Sequence, residues 1–228
     1  MYFCKEICLQ MAYKAIIAGA SGLIGSKLLT ILLNQPEYAE VVILVRKSTG
    51  IKHAKLKELV IDYDRLDNYA DEISGHAIFS CLGTTNNKTP DKDIYRKIDH
   101  DYPVKLAQLG LKNGVKQFHL VSSLGADAKS STFYLKLKGE TEEDIEKVGL
   151  KTVHIYQPSF ITGDRKEHRL SEKILIPIMK LIDPLLFGSF KKYRSIAAQT
   201  IAMAMFKESI TNEEGLFIHP SDNIKQIA

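Results

Sequence analysis

Tyr134 and Lys138 stand four residues apart, and Ser122 and Ser123 precede the tyrosine by 12 and 11 residues. These residue types suit a proton-coupled hydride transfer. Reducing a carbonyl requires a proton donor at oxygen while hydride reaches carbon, and a phenol can supply it. A free tyrosine, with a pKa near 10, is a slow base for the reverse direction at neutral pH. A neighbouring ammonium favours the phenolate. Lysine also reaches a nucleotide ribose, and a serine hydroxyl would fix and polarise the substrate oxygen. The spacing alone carries little in a chain with 10 tyrosines. Its weight comes from placement, because the serines close an apolar strand and the tyrosine opens the helix that follows. The alternative is structural: a half-buried tyrosine, a solvated lysine and two turn serines.

A second group of residues lies near the start, in Ala18-Gly19-Ala20-Ser21-Gly22-Leu23-Ile24-Gly25. The apolar run Ala15-Ile16-Ile17-Ala18 reads as a buried strand before it. After it, Leu28, Leu29, Ile31, Leu32 and Leu33 continue a helical pattern to Asn34-Gln35-Pro36. In a strand–turn–helix context, Gly19 allows a tight turn, Gly22 lets backbone N–H groups approach a pyrophosphate, and Gly25 lets helix and strand pack closely. The helix N-terminus adds unpaired donors and a partial positive charge. A plain βα turn is the competing reading.

The end of the second strand separates the two pyridine nucleotides. An acidic residue there holds a ribose 2′-OH, whereas an arginine accommodates a 2′-phosphate. Here the chain runs Leu44-Val45-Arg46-Lys47-Ser48, and a dianionic phosphate gains charge-assisted hydrogen bonds from Arg46 and Lys47. Ser21 would add a hydroxyl. The reading favours NADP(H) over NAD(H), against a solvated basic loop. Asp62 and Tyr63 after the third strand are placed to border an adenine. Cys81-Leu82-Gly83 after the fourth is placed to let backbone approach the cofactor.

The elements that must position these groups alternate regularly. Strands are expected at 41–45, 57–61, 77–82, 117–121 and 152–156, with a helix after Pro90 stopping at Asn113-Gly114 and another from about Ser131 to Val148. A helix near 200–208 and a short strand at 216–218 complete the chain. This alternation predicts an α/β fold, a doubly wound parallel sheet, as one domain over 1–228. Residues 1–11 read as an extension. Residues 159–195, with an apolar helix-like stretch at 174–182, read as a small lid or substrate segment beyond the strand ends. A net charge of +4 and no interleaved basic tract argue against nucleic acid. No apolar run is long enough for a membrane span. Cys4, Cys8 and Cys81 form neither a disulfide framework nor a zinc pattern, so no metal is expected and a cytoplasmic location is. The apolar lid makes a homodimer plausible.

The pieces Gly19-Ala20-Ser21-Gly22-x-x-Gly25, Arg46-Lys47, Cys81-Leu82-Gly83-Thr84-Thr85, Ser122-Ser123-x-Gly125-Ala126-Asp127 and Tyr134-Leu135-x-x-Lys138-Gly139-Glu140 span most of residues 14–165. In them the chain resembles the atypical short-chain dehydrogenase/reductases, and more closely the Tat-interacting oxidoreductase group. The resemblance implies a Rossmann fold with an NADP(H) site, Tyr134 as the active-site tyrosine and Lys138 as its partner. Ser21, Gly22, Leu23, Ile24, Arg46, Lys47, Leu82 and Gly83 would line that site. Pro158 and Ile161 would join it beyond the sixth strand, with Arg169 closing on the phosphate side. The chain departs from the group at Gln157-Pro158-Ser159, where the group has Arg-Pro-Gly, and at Leu23, where it has a polar residue.

The leading expectation is an NADP(H)-dependent oxidoreductase acting on a small carbonyl or alcohol substrate. A nucleotide-sensing regulatory or assembly protein, and a sugar-nucleotide epimerase or dehydratase, are the alternatives. Which of Ser122 and Ser123 acts stays open at this point.

Overall fold

The computed structural model describes residues 12–163 and 186–228. Its central strands are β1 (Tyr13–Ala18), β2 (Tyr38–Val45), β3 (Leu56–Val60), β4 (Ala77–Ser80), β5 (Gln117–Val121) and β6 (Thr152–Gln157). Among the described residues, two short strands, β7 (Ile161–Thr162) and β8 (Ile196–Ala197), pair only with each other, and β9 (Gly215–Pro220) returns to the main sheet. That sheet is parallel in every pairing, in the order β3-β2-β1-β4-β5-β6-β9. Strand order reverses between β1 and β4, and ligands of such sheets bind in the crevice beyond the carboxyl ends at this point.

Helices cover both faces, which is why the strands read as continuous apolar runs instead of alternating ones. Along β1, Ala15 and Ile17 face one layer and Ile16 and Ala18 the other, all fully buried. The first layer holds α1 (Leu23–Asn34). The second holds α2 (Lys92–Arg96), which continues through a π-helical turn at Lys97–Asp101 into α3 (Tyr102–Lys112), and α4 (Phe133–Val148). Returning to the first layer, α5 (Ala198–Ser209) packs on α1, and α6 (Ser221–Ile227) closes the chain. Leu28 and Leu32 of α1 are fully buried, so Leu28→Ala would cost about 2–5 kcal/mol.

The stop signals act as read. Gly149 ends α4 at φ +83°, a left-handed conformation that a side chain disfavours. Asn113 ends α3 and donates its amide to the carbonyls of Ala70 and Ile73. The fourth strand ends at Ser80 instead of Leu82, level with the end of its partner β1 at Ala18. The 3₁₀ segment Tyr63–Glu72, the β7–β8 ladder and α6 are additions to the sequence reading. The expected extension at 1–11, the helix-like stretch at 174–182 and Arg169 lie outside the described residues. Among the described residues, no helix is long and apolar enough to cross a membrane.

Candidate active site

The turn between β1 and α1 is shaped by what a side chain would strike. Gly19 adopts φ +86°, and a Cβ there would lie 2.5 Å from the Cys81 carbonyl oxygen. A Cβ on Gly25 would lie 2.2 Å from the Gly19 carbonyl oxygen. The turn therefore folds tightly against both its own helix and the loop after β4. Gly22 caps α1 with no side-chain hydrogen bond, and the first turn holds no acidic residue. Among the described residues nothing accepts from the first amides of α1, which is the cradle a pyrophosphate requires. Ser21 is exposed beside it, Leu23 is half-buried and Ile24 is buried. The Leu23 side chain packs on Gly163, where a Cβ would come within 3.0 Å of it, so the leucine joins the turn to the segment after β6.

Arg46 and Lys47 follow β2 and are exposed. Asp62 is exposed and caps the 3₁₀ segment by accepting from the Asp64 amide at 3.0 Å. Tyr63 is placed differently from the expectation that it borders an adenine. It is 7% exposed, and its hydroxyl donates to the Leu44 carbonyl at 2.9 Å. Its ring lies 5.2 Å from that of Tyr102, so it supports the strand ends from beneath. Burial raises its pKa, opposed by the Arg46 charge. Cys81 donates its amide to Ala18, and burial pushes its thiol up to about 12, which makes it unreactive. Leu82 is half-buried and Gly83 exposed at the crevice.

Tyr134 opens α4 and is 38% exposed, whereas Lys138, one turn later, is 4% exposed. The ammonium of Lys138 faces Asp99 Oδ1 at 3.0 Å. Asp99 sits in the π-helical turn, and its Oδ2 accepts the Thr84 amide at 2.8 Å. Thr141 of α4 donates to the Asp99 carbonyl, tying the helix to that turn. Burial alone would lower the Lys138 pKa, but the charge of Asp99, supported by Tyr134 and Glu142, outweighs it and holds it raised. A buried, charged lysine is thus pinned one turn below a solvent-facing phenol. Gly139 makes this packing possible: a Cβ there would lie 2.2 Å from the Ala128 nitrogen, so the loop after β5 runs directly across α4.

The two serines separate. Ser122 is buried, its amide bonds to Tyr156, and its hydroxyl donates to Glu142. Gln157 donates to both Glu142 oxygens at 3.1 and 2.9 Å. Burial raises the Glu142 pKa against those hydrogen bonds and the Lys138 charge. Ser123 instead lines an open cleft of about 530 Å³ with Leu124, Leu135, Pro158, Ser159 and Tyr193. The departures at Gln157 and Ser159 have a physical use: Gln157 holds Glu142, and the Ser159 amide and hydroxyl bond Ser221 and the Arg194 carbonyl. Ile161 pairs with Ile196 in the β7–β8 ladder.

Asp99 and Glu142 are the residues the sequence reading missed; each sits among ordinary polar helix residues, and no local pattern marks it. Gln157 stands out in the sequence as a departure, but its partner Glu142 does not.

Residues 19–174 match the model of a family described as NAD(P)H-binding. Protein HTATIP2 of Rattus norvegicus is 36% identical over 168 residues, 72% of this chain and 69% of that protein. Protein FMP52, mitochondrial, of Candida albicans is 32% identical over 164 residues, 69% of this chain and 72% of that protein. A UDP-N-acetylglucosamine 4-epimerase structure from Methanobrevibacter ruminantium has a TM-score of 0.68 at 16% identity, covering 92% of this chain and 76% of that one, a likeness of fold. The expected cytoplasmic location is corrected by these relatives, since those from Candida albicans, Coccidioides immitis and Emericella nidulans are named as mitochondrial. The low cysteine count behind that expectation reports a reducing environment, not a compartment. The chain belongs to the NAD(P)H-binding family, carries its Rossmann fold, and is related to HTATIP2.

Proposed function

We propose that the protein is an NADP(H)-dependent oxidoreductase of a small carbonyl or alcohol substrate. The observation that carries this reading is the pairing of an exposed Tyr134 with a buried, Asp99-held Lys138 beside the cleft that Ser123 lines. The uncapped mouth of α1 suits a pyrophosphate, and Arg46 and Lys47 suit a 2′-phosphate. When bound, the reduced nucleotide supplies hydride. Tyr134 Oη gives its proton to the substrate oxygen. The fixed charge of Lys138 stabilises the phenolate left behind, which keeps the reverse direction accessible near neutral pH. Ser123 holds the substrate oxygen, while Ser122 braces Glu142 from the interior.

The test follows NADPH oxidation with a panel of small aldehydes and ketones, with UDP-sugars included for the epimerase chemistry of the structural neighbours. Tyr134→Phe should lower turnover by about 10²–10⁴-fold and leave NADPH affinity nearly unchanged. Tight NADPH binding with no turnover on the whole panel would instead favour a nucleotide sensor.

A further inference from the structure

His154, Glu208 and His219 converge on the α5 side of the sheet, from β6, α5 and β9, apart from the nucleotide crevice. Both imidazoles are buried. His154 Nδ1 lies 3.0 Å from His219 Nε2 and 3.6 Å from Glu208 Oε2, and the three donor atoms all lie within 4.8 Å of one another. Donors bound at about 2.0–2.2 Å around a tetrahedral ion are spaced about 3.3 Å apart, and the two short separations straddle that value. His219 Nδ1 stands 2.7 Å from Asn223 Oδ1. An amide oxygen only accepts, so the hydrogen of His219 is on Nδ1 and the Nε2 lone pair is turned into the cluster. An outer partner that fixes a histidine's tautomer in this way is the usual second shell of a metal ligand.

The charge balance points the same way. The Glu208 carboxylate is mostly buried and, among the described residues, receives no hydrogen bond; its nearest cation-capable neighbour is His154. A carboxylate largely removed from water without a hydrogen-bond partner is electrostatically expensive, and a divalent ion would compensate it. Two imidazoles, a carboxylate and a water form one of the ligand sets that hold zinc.

We propose that His154, Glu208 and His219 form a zinc site, with water completing the coordination, that ties β6, α5 and β9 together. The cysteines carried no such signal, and the three ligands are too far apart in sequence to read as a motif.

The test uses the full chain stripped with a chelator and titrated with Zn²⁺ alone against a chromophoric competitor. One saturable equivalent is expected, with a rise in Tm. Asn223→Ala should weaken it about 10–100-fold, and His219→Gln or His154→Gln by more than that. Should those variants fail to fold, X-ray absorption of the zinc-loaded native chain decides: two imidazoles with oxygen donors support the site, whereas sulfur ligation overturns it. Absence of saturable binding, or unchanged affinity in a folded His219→Gln, also overturns it. NADPH affinity should not depend on zinc.

Discussion

Arg46 and Lys47 stand in solvent beyond β2, whereas Lys138 and Asp99 face each other in the interior beyond β4. Both regions hold positive charge at the edge of the same crevice, yet by opposite means. On the nucleotide side the fixed parts are backbone, a glycine turn folded against Cys81 and an uncapped helix mouth, and the cations stand exposed. On the catalytic side the charge is held by a carboxylate and removed from water. Exposed cations attract a ligand but are screened by salt, with a Debye length of about 8 Å at physiological ionic strength. A buried pair is nearly indifferent to salt, and losing one member leaves the other charge stranded. Under the proposed function, recognition is left adjustable while the proton chemistry is locked.

The largest test of that contrast is Asp99→Ala. It leaves the Lys138 ammonium buried without a partner and should cost about 3–5 kcal/mol of stability, read from denaturant midpoints. It should also abolish turnover. Asp99→Ala with Lys138→Met should recover part of the stability but none of the activity. Unchanged stability in Asp99→Ala would mean that Lys138 escapes to solvent, and the distinction between the two regions would fail.

Next in size is Gly139→Val. The loop backbone at Asp127-Ala128 leaves no room for a side chain, so α4 must move away from β5, taking Tyr134 and Lys138 with it. Turnover should fall by more than about 10²-fold, the scale of a roughly 1 Å misplacement, while NADPH affinity changes little. A comparable loss of NADPH affinity would show that the two regions move as one body.

On the nucleotide side, Arg46→Asp should lose about 1.5–3 kcal/mol of NADPH binding, the worth of a charge-assisted hydrogen bond, with NADH affected far less. The proposed preference for NADPH should shrink as salt is raised, whereas the stability of the Lys138–Asp99 pair should not. Equal losses for both nucleotides would remove the 2′-phosphate assignment.

These regions also differ in how far they could be read from sequence. The glycine turn, the strands and the stops at Gly149 and Asn113-Gly114 are local. Each depends on neighbours within a few residues, and each is found in place apart from shifted strand ends such as Ser80. Tyr134 and Lys138 were visible through their spacing, but not their opposite exposures. Those depend on Asp99, which reads as an ordinary charged helix residue until the π turn brings it under α4. Ser122 and Ser123 were indistinguishable as a dipeptide. Only the depth of Glu142, on another element, separates the buried one from the one in the cleft. Tyr63 misled because an aromatic beside an acid looks like a ligand wall, while its hydroxyl is spent on Leu44.

Glu142 gives the smallest effect and probes the inner edge of the locked region. Its raised pKa means that the fold favours the protonated carboxyl. The corresponding stability is complete below the ordinary value of 4.5 and is lost as pH rises through the raised one. Glu142→Gln keeps an acceptor for the Ser122 hydroxyl and removes the titration. Over mildly acid to neutral pH its stability should therefore fall less steeply than that of the native chain, with the two curves diverging upward from about pH 4.5. Gln157→Arg should flatten the same segment by another route, since a guanidinium in place of the amide returns the carboxyl toward its ordinary range. Urea unfolding at a series of pH values measures both. A Glu142→Gln curve as steep as the native one would assign the slope to other groups and show that the Glu142 side chain is reached by water, which would move the boundary between the two regions inward from Ser122 to Lys138.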